Sequence, residues 1–428
     1  MGIRLKVAQT AAELDDVYRL RHQVYTVEEG RFPELGAISS FLVDRYDTHP
    51  NCANLVAYDG DEAIGTMRLN LDDGNGLPSG ETFDFSDYRR QAAISWNPKT
   101  QGELRFISAG MLAVRKDWRK RRDVILALFR LATGVADAWG ATHVLVVGNH
   151  ENALMYKRVA FSPLNERLWV EAIGNYVVPM AALYAEFRAN VVGPDSDRIG
   201  FLGSFAEHFQ RAVFRTGEAI FRQGDVADEC YLVDTGSVKI TGECVTDGRE
   251  LTFAVLGKGE VFGELALIDK KPRSANATAT TDTEVIILKR ADFLAGIKAH
   301  PERLEQVLGF ISERLRRTDE LAMLLAYGSD RQKLEFALGG FLQSAKVMKR
   351  KEDGTAVLRA GPADLATAAG TDITTATRFL DELSSHGYCE YTSSRIHFLT
   401  PDVEWKPAHL QFVENKPQQA AGEKSMKP

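Results

Sequence analysis

The order of apolar and polar positions changes character twice along the chain. Over residues 1–192 helical and strand periods are mixed. Apolar runs at 107–114 and 143–147 read as strands, and between them positions 124–139 recur at helical spacing until Gly140 stops them. Strand, basic turn, helix, strand, helix predicts an α/β layer with an anion site at the helix start. Over 212–292 short apolar strands alternate with turns at Gly217-Glu218, Gly224-Asp225, Gly236-Ser237, Asp247-Gly248 and Gly257 to Gly259. Turn signals spaced about 8–12 residues apart predict a small β-barrel or jelly roll. From 300 to 400 helices return and close with a short β element.

Between 301 and 326 the residues Leu304, Leu308, Ile311, Leu315, Thr318, Ala322 and Leu325 follow an alternating four–three spacing. This is a heptad seam of about three heptads. Two readings stay open: a core helix packed on its own barrel, or a symmetric coiled-coil dimer in which Thr318 faces something polar.

The pattern divides the chain into 1–192, a breaker-rich linker at 193–211, a barrel at 212–299, a helix at 300–328, a helical block at 329–402 and a polar tail at 403–428. The tail is expected to be largely disordered. Composition narrows the class without changing this division. The chain has 428 residues, 44% hydrophobic and 26% charged, with a formal net charge of -7. These are globular proportions. No apolar run reaches the roughly 18 residues of a membrane span. Cys52, Cys230, Cys244 and Cys389 form no CxxC pair. No metal site is therefore expected, and a reducing cytoplasm is the expected home.

The run FGELALIDKKPRSA at 262–275 carries the first candidate chemistry. Gly263 frees the backbone to turn, so the N–H groups that follow can meet an anion. Arg273 can add a charge-assisted bond to a phosphate, Glu264 can accept from a sugar hydroxyl, and Ser274 adds a hydroxyl. The run resembles the phosphate-binding cassette of cyclic-nucleotide-binding domains almost residue for residue, and the resemblance extends over 212–330. It implies that Arg273 and the 263–266 segment (Gly263, Glu264, Leu265, Ala266) hold the cyclic phosphate, with Ser274 and Ala275 alongside and Glu264 on the ribose 2′-OH. Thr318 falls where cyclic-AMP-type regulators place an adenine contact, with Asp319 beside it. The resemblance favours cyclic AMP over cyclic GMP and implies a homodimer through the 300–328 helix.

Residues 359–400 predict a helix from Pro362 to Ala369, ended by Gly370, and a second from Ile373 to Ser384, capped by Thr371 or Asp372. Two short strands follow at 388–392 and 395–399. The block resembles the winged helix-turn-helix of Crp/Fnr regulators and implies a double-stranded DNA operator. Thr371, Ile373, Thr374, Thr375 and Arg378 are the candidate DNA contacts, Arg378 as a bidentate partner of guanine. Residues 329–428 carry 13 Lys and Arg against 13 Asp and Glu. That balance weakens the phosphate attraction on which DNA affinity rests. A winged helix kept only as a packing scaffold is the alternative.

In the first block, residues 152–161 resemble the A-x-x-L-Y-x-x-x-G-F signature of GNAT N-acyltransferases, in which the Tyr, here Tyr156, can protonate a leaving thiolate. Arg21 to Tyr25, Asp44, Asp47, Arg68 and Glu103 to Phe106 look like the acyl-homoserine-lactone and long-chain N-acyl amino acid synthases. That resemblance implies an amine pocket shaped by Arg21, Asp44, Asp47 and Arg68, with Glu103 helping to deprotonate the amine. The basic turn with Arg119, Arg121 and Arg122 would meet an acyl donor, either acyl carrier protein or acyl-CoA. The usual small residues of the acyl-CoA loop are absent from this turn. A buried ion cluster that only holds the sheet, and an acyl-sensing shell without turnover, remain alternatives.

The expected architecture is multidomain α+β: a GNAT-like α/β domain, a cyclic-nucleotide-binding jelly roll with a long dimer helix, and a winged helix-turn-helix. Two functions compete. One is a cyclic-nucleotide-responsive transcription regulator whose first domain makes or senses N-acylated amines. The other is a cyclic-nucleotide-gated N-acyltransferase.

Overall fold

The computed structural model describes residues 2–32, 39–74, 76–193, 210–243, 250–348, 355–358 and 360–399. Most of the expected linker, the Asp247-Gly248 turn and the tail lie outside them. The chain is a multidomain α+β protein. In the first block β1 (Ile3–Val7), β2 (Cys52–Asp59), β3 (Glu62–Leu71) and β4 (Phe106–Val114) pair antiparallel in order, and α1 (Ala11–Arg21) follows β1. After α2 (Ser86–Ser95) and β4 the chain crosses over through α3 (Arg122–Ala138) to β5 (His143–Asn149). The β4–β5 pairing is parallel, which a hairpin cannot make and a crossover helix can. Helix α3 holds its place by burying Val124, Ala127, Leu128 and Leu131.

The β4–β5 register runs from Phe106 opposite His143 to Ala109 opposite Val146. Beyond it the two strands continue to Val114 and Asn149 with no mutual pairing among the described residues, so the sheet opens between them. Helix α4 (Ala153–Arg158) stands beside this opening. β6 (Ser162–Pro163) and β7 (Leu168–Val170) then pair with β8 (Asn175–Leu183), before α5 (Tyr184–Val192).

The barrel has two layers. One is formed by β9 (Gln210–Phe214), β16 (Thr283–Lys289), β11 (Glu229–Thr235) and β14 (Val261–Phe262). The other is formed by β10 (Ala219–Phe221), β15 (Asn276–Ala279), β12 (Val238–Glu243) and β13 (Glu250–Leu256). Phe214, Phe221, Tyr231, Val233, Ile240 and Phe262 fill the space between them. The first layer does not end at the barrel. β9 pairs antiparallel with β1, Arg4 opposite Ala212, so one sheet runs through both domains. Nothing in the apolar pattern suggested that joint.

Helix α6 (Arg290–Ala299) covers the barrel with Phe293, and α7 (Arg303–Tyr327) joins the same cluster through Val307. The last block contains α8 (Asp330–Met348), β17 (Ala356–Leu358), α9 (Pro362–Ala369), α10 (Ile373–Ser385), β18 (Cys389–Thr392) and β19 (Arg395–Phe398). The two wing strands are joined by β17, which the sequence reading did not contain. Gly370 takes φ +62° and ends α9, while Asp372, not Thr371, caps α10 by accepting from the Thr375 N–H at 2.9 Å.

Candidate functional site

Four of the expected acyl-domain residues meet. Helix α1 starts on a Thr10–Glu13 capping box and ends at Arg21. Asp44 opens the short turn Arg45–Thr48 by accepting from the Tyr46 N–H at 2.8 Å. Arg68 comes from β3. Arg21 donates to Asp47 Oδ1 at 2.8 Å and to the Asn54 side-chain oxygen. Arg68 Nη1 lies 2.7 Å from Asp44 Oδ1 and 2.9 Å from Asp47 Oδ2, and its Nη2 donates to Asp44 Oδ2 at 2.9 Å. Two cations face two anions with no net charge. Burial pushes the Asp47 carboxyl up, but Arg21 and Arg68 outweigh it and hold it below the usual range. Arg21, Asp47 and Arg68 are buried and Asp44 is the half-exposed member. The Nε–H groups of both arginines are buried without a hydrogen-bond partner.

Glu103 is not brought to this cluster. It sits between α2 and β4 with its side chain 80% exposed, paired with Arg105 at 2.9 Å. Tyr156 is also separate. It lies on α4 against Phe129 and Phe161, and a Cβ at Gly148 would stand 2.8 Å from its ring. Burial pushes the phenol up to about 12, so it stays protonated at neutral pH, as a proton donor must be. A small apolar void of about 10 Å³ adjoins its ring, bounded also by Met67, Ile107, Phe129 and Phe161.

Neighbouring acids partly neutralise the basic turn. Arg119 bonds Glu28 at 2.7 Å and Glu29 at 3.0 Å, and Arg121 bonds Asp123 at 2.5 Å with its guanidinium over Trp118. Acids brought in by the segment after α1 and by α3 itself therefore offset two of the three charges. Arg122, the first residue of α3, is exposed.

The cassette forms as a unit. Gly263 takes φ +69° and opens the 3-10 turn Glu264–Leu267. Glu264, Ala266, Arg273 and Ala275 are buried, whereas Leu265 and Ser274 face solvent. Arg273 lies on an aromatic floor, 4.2 Å from the Phe221 ring centre and 5.2 Å from that of Tyr231, which stacks on Phe262. Its Nη1 donates to Glu229 O at 2.7 Å and to Gly263 O at 3.1 Å, and its Nη2 is 3.4 Å from the Tyr231 hydroxyl. Its Nε is buried without a partner. A Cβ at Gly263 would stand 2.7 Å from Nη1. A buried cation with an unused donor beside a bare-backbone turn fits a phosphate. Phe221, Glu229 and Tyr231 were missed in the sequence. Only their flanking position signalled them, because the strand pairing that gathers them is not visible in the run itself.

On α7, Leu304, Leu308 and Leu315 are 46%, 55% and 61% exposed. These three seam leucines therefore do not face the barrel, whereas Val307 and the seam residue Ile311 pack on it. Thr318 and Asp319 lie exposed on the same helix. On α10 the Thr375 hydroxyl donates to Asp372 at 2.7 Å and so serves the cap, and the Thr371 hydroxyl oxygen is buried. Ile373, Thr374 and Arg378 form an exposed face.

Known proteins resemble the two halves separately. Residues 16–182 match the family model of the N-acyl amino acid synthase FeeM, and residues 211–300 match that of the cyclic nucleotide-binding domain. The cyclic AMP receptor protein of Thermus thermophilus is 35% identical over 181 residues, which are 42% of this chain and 79% of that protein. A CRP-like cAMP-activated global transcriptional regulator of Mycobacterium tuberculosis is 33% identical over 118 residues, 28% of this chain and 52% of that protein, so the chain spans about half of it. The solved structure of FeeM, from uncultured soil microbes, is 14% identical with a TM-score of 0.35, covering 44% of this chain and 96% of that one.

Proposed function

We infer the function from one premise: the chain belongs to the cyclic AMP receptor protein family, and it carries ahead of the nucleotide domain a segment similar to an N-acyl amino acid synthase. On this reading it is a cytoplasmic, homodimeric transcription regulator that responds to a cyclic nucleotide, cyclic AMP in preference to cyclic GMP. Its first domain makes or senses N-acylated amines. One observation carries the reading: Glu264 and Arg273 are both present and buried at the Gly263 turn. The cyclic phosphate would take Arg273 and the backbone of 263–266, and Glu264 would accept from the ribose 2′-OH. Thr318 and Asp319 would meet the base at the α7 seam. Binding would bias a two-state arrangement of α7 and, through it, the two α10 helices on an operator. Arg378 would contact guanine, flanked by Ile373 and Thr374.

Calorimetric titration of the full chain with cyclic AMP and cyclic GMP tests this, with Arg273→Ala as the control. Saturable binding that the substitution abolishes supports the reading, and no binding of either nucleotide overturns it. An Arg378→Ala variant with unchanged operator affinity overturns the base contact.

The second reading, a nucleotide-gated N-acyltransferase, is favoured by the sheet that β1 and β9 share. The amine would attack the thioester carbonyl of acyl carrier protein or acyl-CoA. A C–N bond forms, the C–S bond breaks, the amine proton leaves to a base, and Tyr156 gives its proton to the thiolate. Glu103, paired with Arg105 and apart from the cluster, would not be that base, and solvent would take the proton. Arg21, Asp44, Asp47 and Arg68 would shape the pocket, and Arg122 would meet the donor. An acyl-transfer assay with and without cyclic AMP decides: turnover that depends on the nucleotide supports gating, and no turnover in either state overturns it.

A further inference from the structure

The joint between the two domains is more than a backbone ladder. Arg4 of β1 donates from both Nη atoms to Glu229 at the start of β11, at 2.6 Å to Oε1 and 3.2 Å to Oε2. The same carboxylate accepts the Tyr231 hydroxyl. The backbone oxygen of Glu229 accepts Arg273 Nη1 at 2.7 Å, and Arg273 Nη2 is 3.4 Å from the Tyr231 hydroxyl. The guanidinium assigned to the phosphate thus shares Glu229 with the first strand of the other domain. We propose that Glu229 is a coupling point, at which Arg4 sets nucleotide affinity and nucleotide binding sets how firmly β1 is held. The proposal rests on the reading that a cyclic nucleotide binds at Arg273.

The physical case starts from charge. A cyclic phosphodiester brings one negative charge to Arg273, beside the buried Glu229 carboxylate. Two anions sharing one cation in a poorly solvated site repel each other strongly. Arg4 supplies the second cation. Burial pushes the Glu229 carboxyl up, but the bond from Arg4 leads the interactions that bring it below its usual range. With its unpaired Nε turned to the phosphate and its Nη1 on the Glu229 oxygen, Arg273 would serve both anions at once, so the phosphate acts on the contacts that hold Glu229 against Arg4. On the far side, β1 leads into α1, with Lys6 paired to Glu13 in its first turn. That helix ends at Arg21 in the ion cluster. A change at Arg4 therefore acts on the element that carries Arg21. By linkage, if Arg4 favours nucleotide binding, the nucleotide favours the Arg4 contact by the same factor.

A second polar joint serves as control. Arg130 of α3 bonds Glu284, which together with Asp234 holds the buried Arg211 at 2.5 and 2.6 Å. This group joins the same two domains and makes no bond to Arg273 among the described residues.

The experiment is calorimetric titration of the full chain with cyclic AMP, for wild type, Arg4→Gln, Glu229→Gln, the double variant and Arg130→Gln. Arg4→Gln should weaken binding by roughly fivefold or more, the lower end of measured couplings. The double variant should match Glu229→Gln within about twofold, because Arg4 acts chiefly through Glu229. Arg130→Gln should stay near wild type. In the unmutated chain, hydrogen exchange over residues 3–21 should slow when cyclic AMP is added, a readout that needs no variant to fold. If wild type binds but Arg4→Gln binds as well and exchange over 3–21 is unchanged, the coupling is overturned and the nucleotide site stands. Equal weakening by Arg130→Gln overturns it too, by showing general loosening. If wild type does not bind, the nucleotide reading falls and the coupling with it.

Discussion

Replacing Gly263 with alanine tests the cassette at its most constrained point. Gly263 holds φ +69° and ψ 15°. An L-residue pays about 1–2 kcal/mol in that region. The added Cβ would lie 2.7 Å from Arg273 Nη1 and 3.4 Å from both the Phe221 and Tyr231 rings. The rings are buried, so the guanidinium, as the free end of a flexible side chain, gives way. It then leaves the Gly263 and Glu229 oxygens and moves off the line to the phosphate. Losing one charge-assisted hydrogen bond costs about 1.5–3 kcal/mol, which is about a 10- to 150-fold loss in cyclic AMP affinity. Calorimetry measures the affinity and urea denaturation the stability. Gly217→Ala separates the two effects, since Gly217 has φ +87° with nothing within 4 Å of its Cβ position and pays strain alone. Should Gly263→Ala bind cyclic AMP as tightly as Gly217→Ala, the placement of Arg273 as phosphate ligand is refuted.

Other positions give independent checks. Asp47→Asn leaves Arg21 and Arg68 short of an anion and should cost about 3–5 kcal/mol in urea denaturation, against near zero if the cluster were loosely solvated. Because the folded-state Asp47 carboxyl is held below its unfolded value, its contribution is complete above about pH 4 and is lost as pH falls through the folded value. The acid limb of a stability–pH curve should therefore flatten in that variant. Leu315→Glu, at a 61% exposed seam position, should leave the fold intact and convert a sedimenting dimer to monomer. A wild-type chain that sediments as a monomer would remove the seam's assigned role. Tyr156→Phe should lower any acyl-transfer rate by about 100-fold or more with little change in stability, and an unchanged rate would take the proton-donor role from Tyr156.

What could be read without the structure follows the range of the interactions involved. The cassette lies within one short run, where a left-handed Gly263 and the following turn set the geometry locally, so residue order reported it almost whole. The α10 cap at Asp372 and the stop at Gly370 are local in the same sense. The acyl-domain cluster was half legible. Arg21, Asp44, Asp47 and Arg68 were nameable through resemblance, but Asn54 joins them only because the β2–β3 register sets it opposite Arg68. Glu103 and the basic turn show the reverse. Their residue types suit catalysis and donor binding, yet neighbours brought by folding, Arg105 for Glu103 and Glu28 and Glu29 for Arg119, decide what their charges meet.

The sequence by itself determined the three-part order, the helix and strand periods, the phosphate run and the heptad seam, because each depends on residues near one another in the chain. Tertiary structure alone decided that the seam leucines Leu304, Leu308 and Leu315 stay exposed while Val307 and Ile311 pack inward. It alone joined β1 to β9 and set Arg4 against Glu229. Strand pairing is made by backbone groups that every residue but proline shares, and side chains select only face and register. Which two edges meet across some two hundred residues of chain is settled when both domains have folded and their charges find partners.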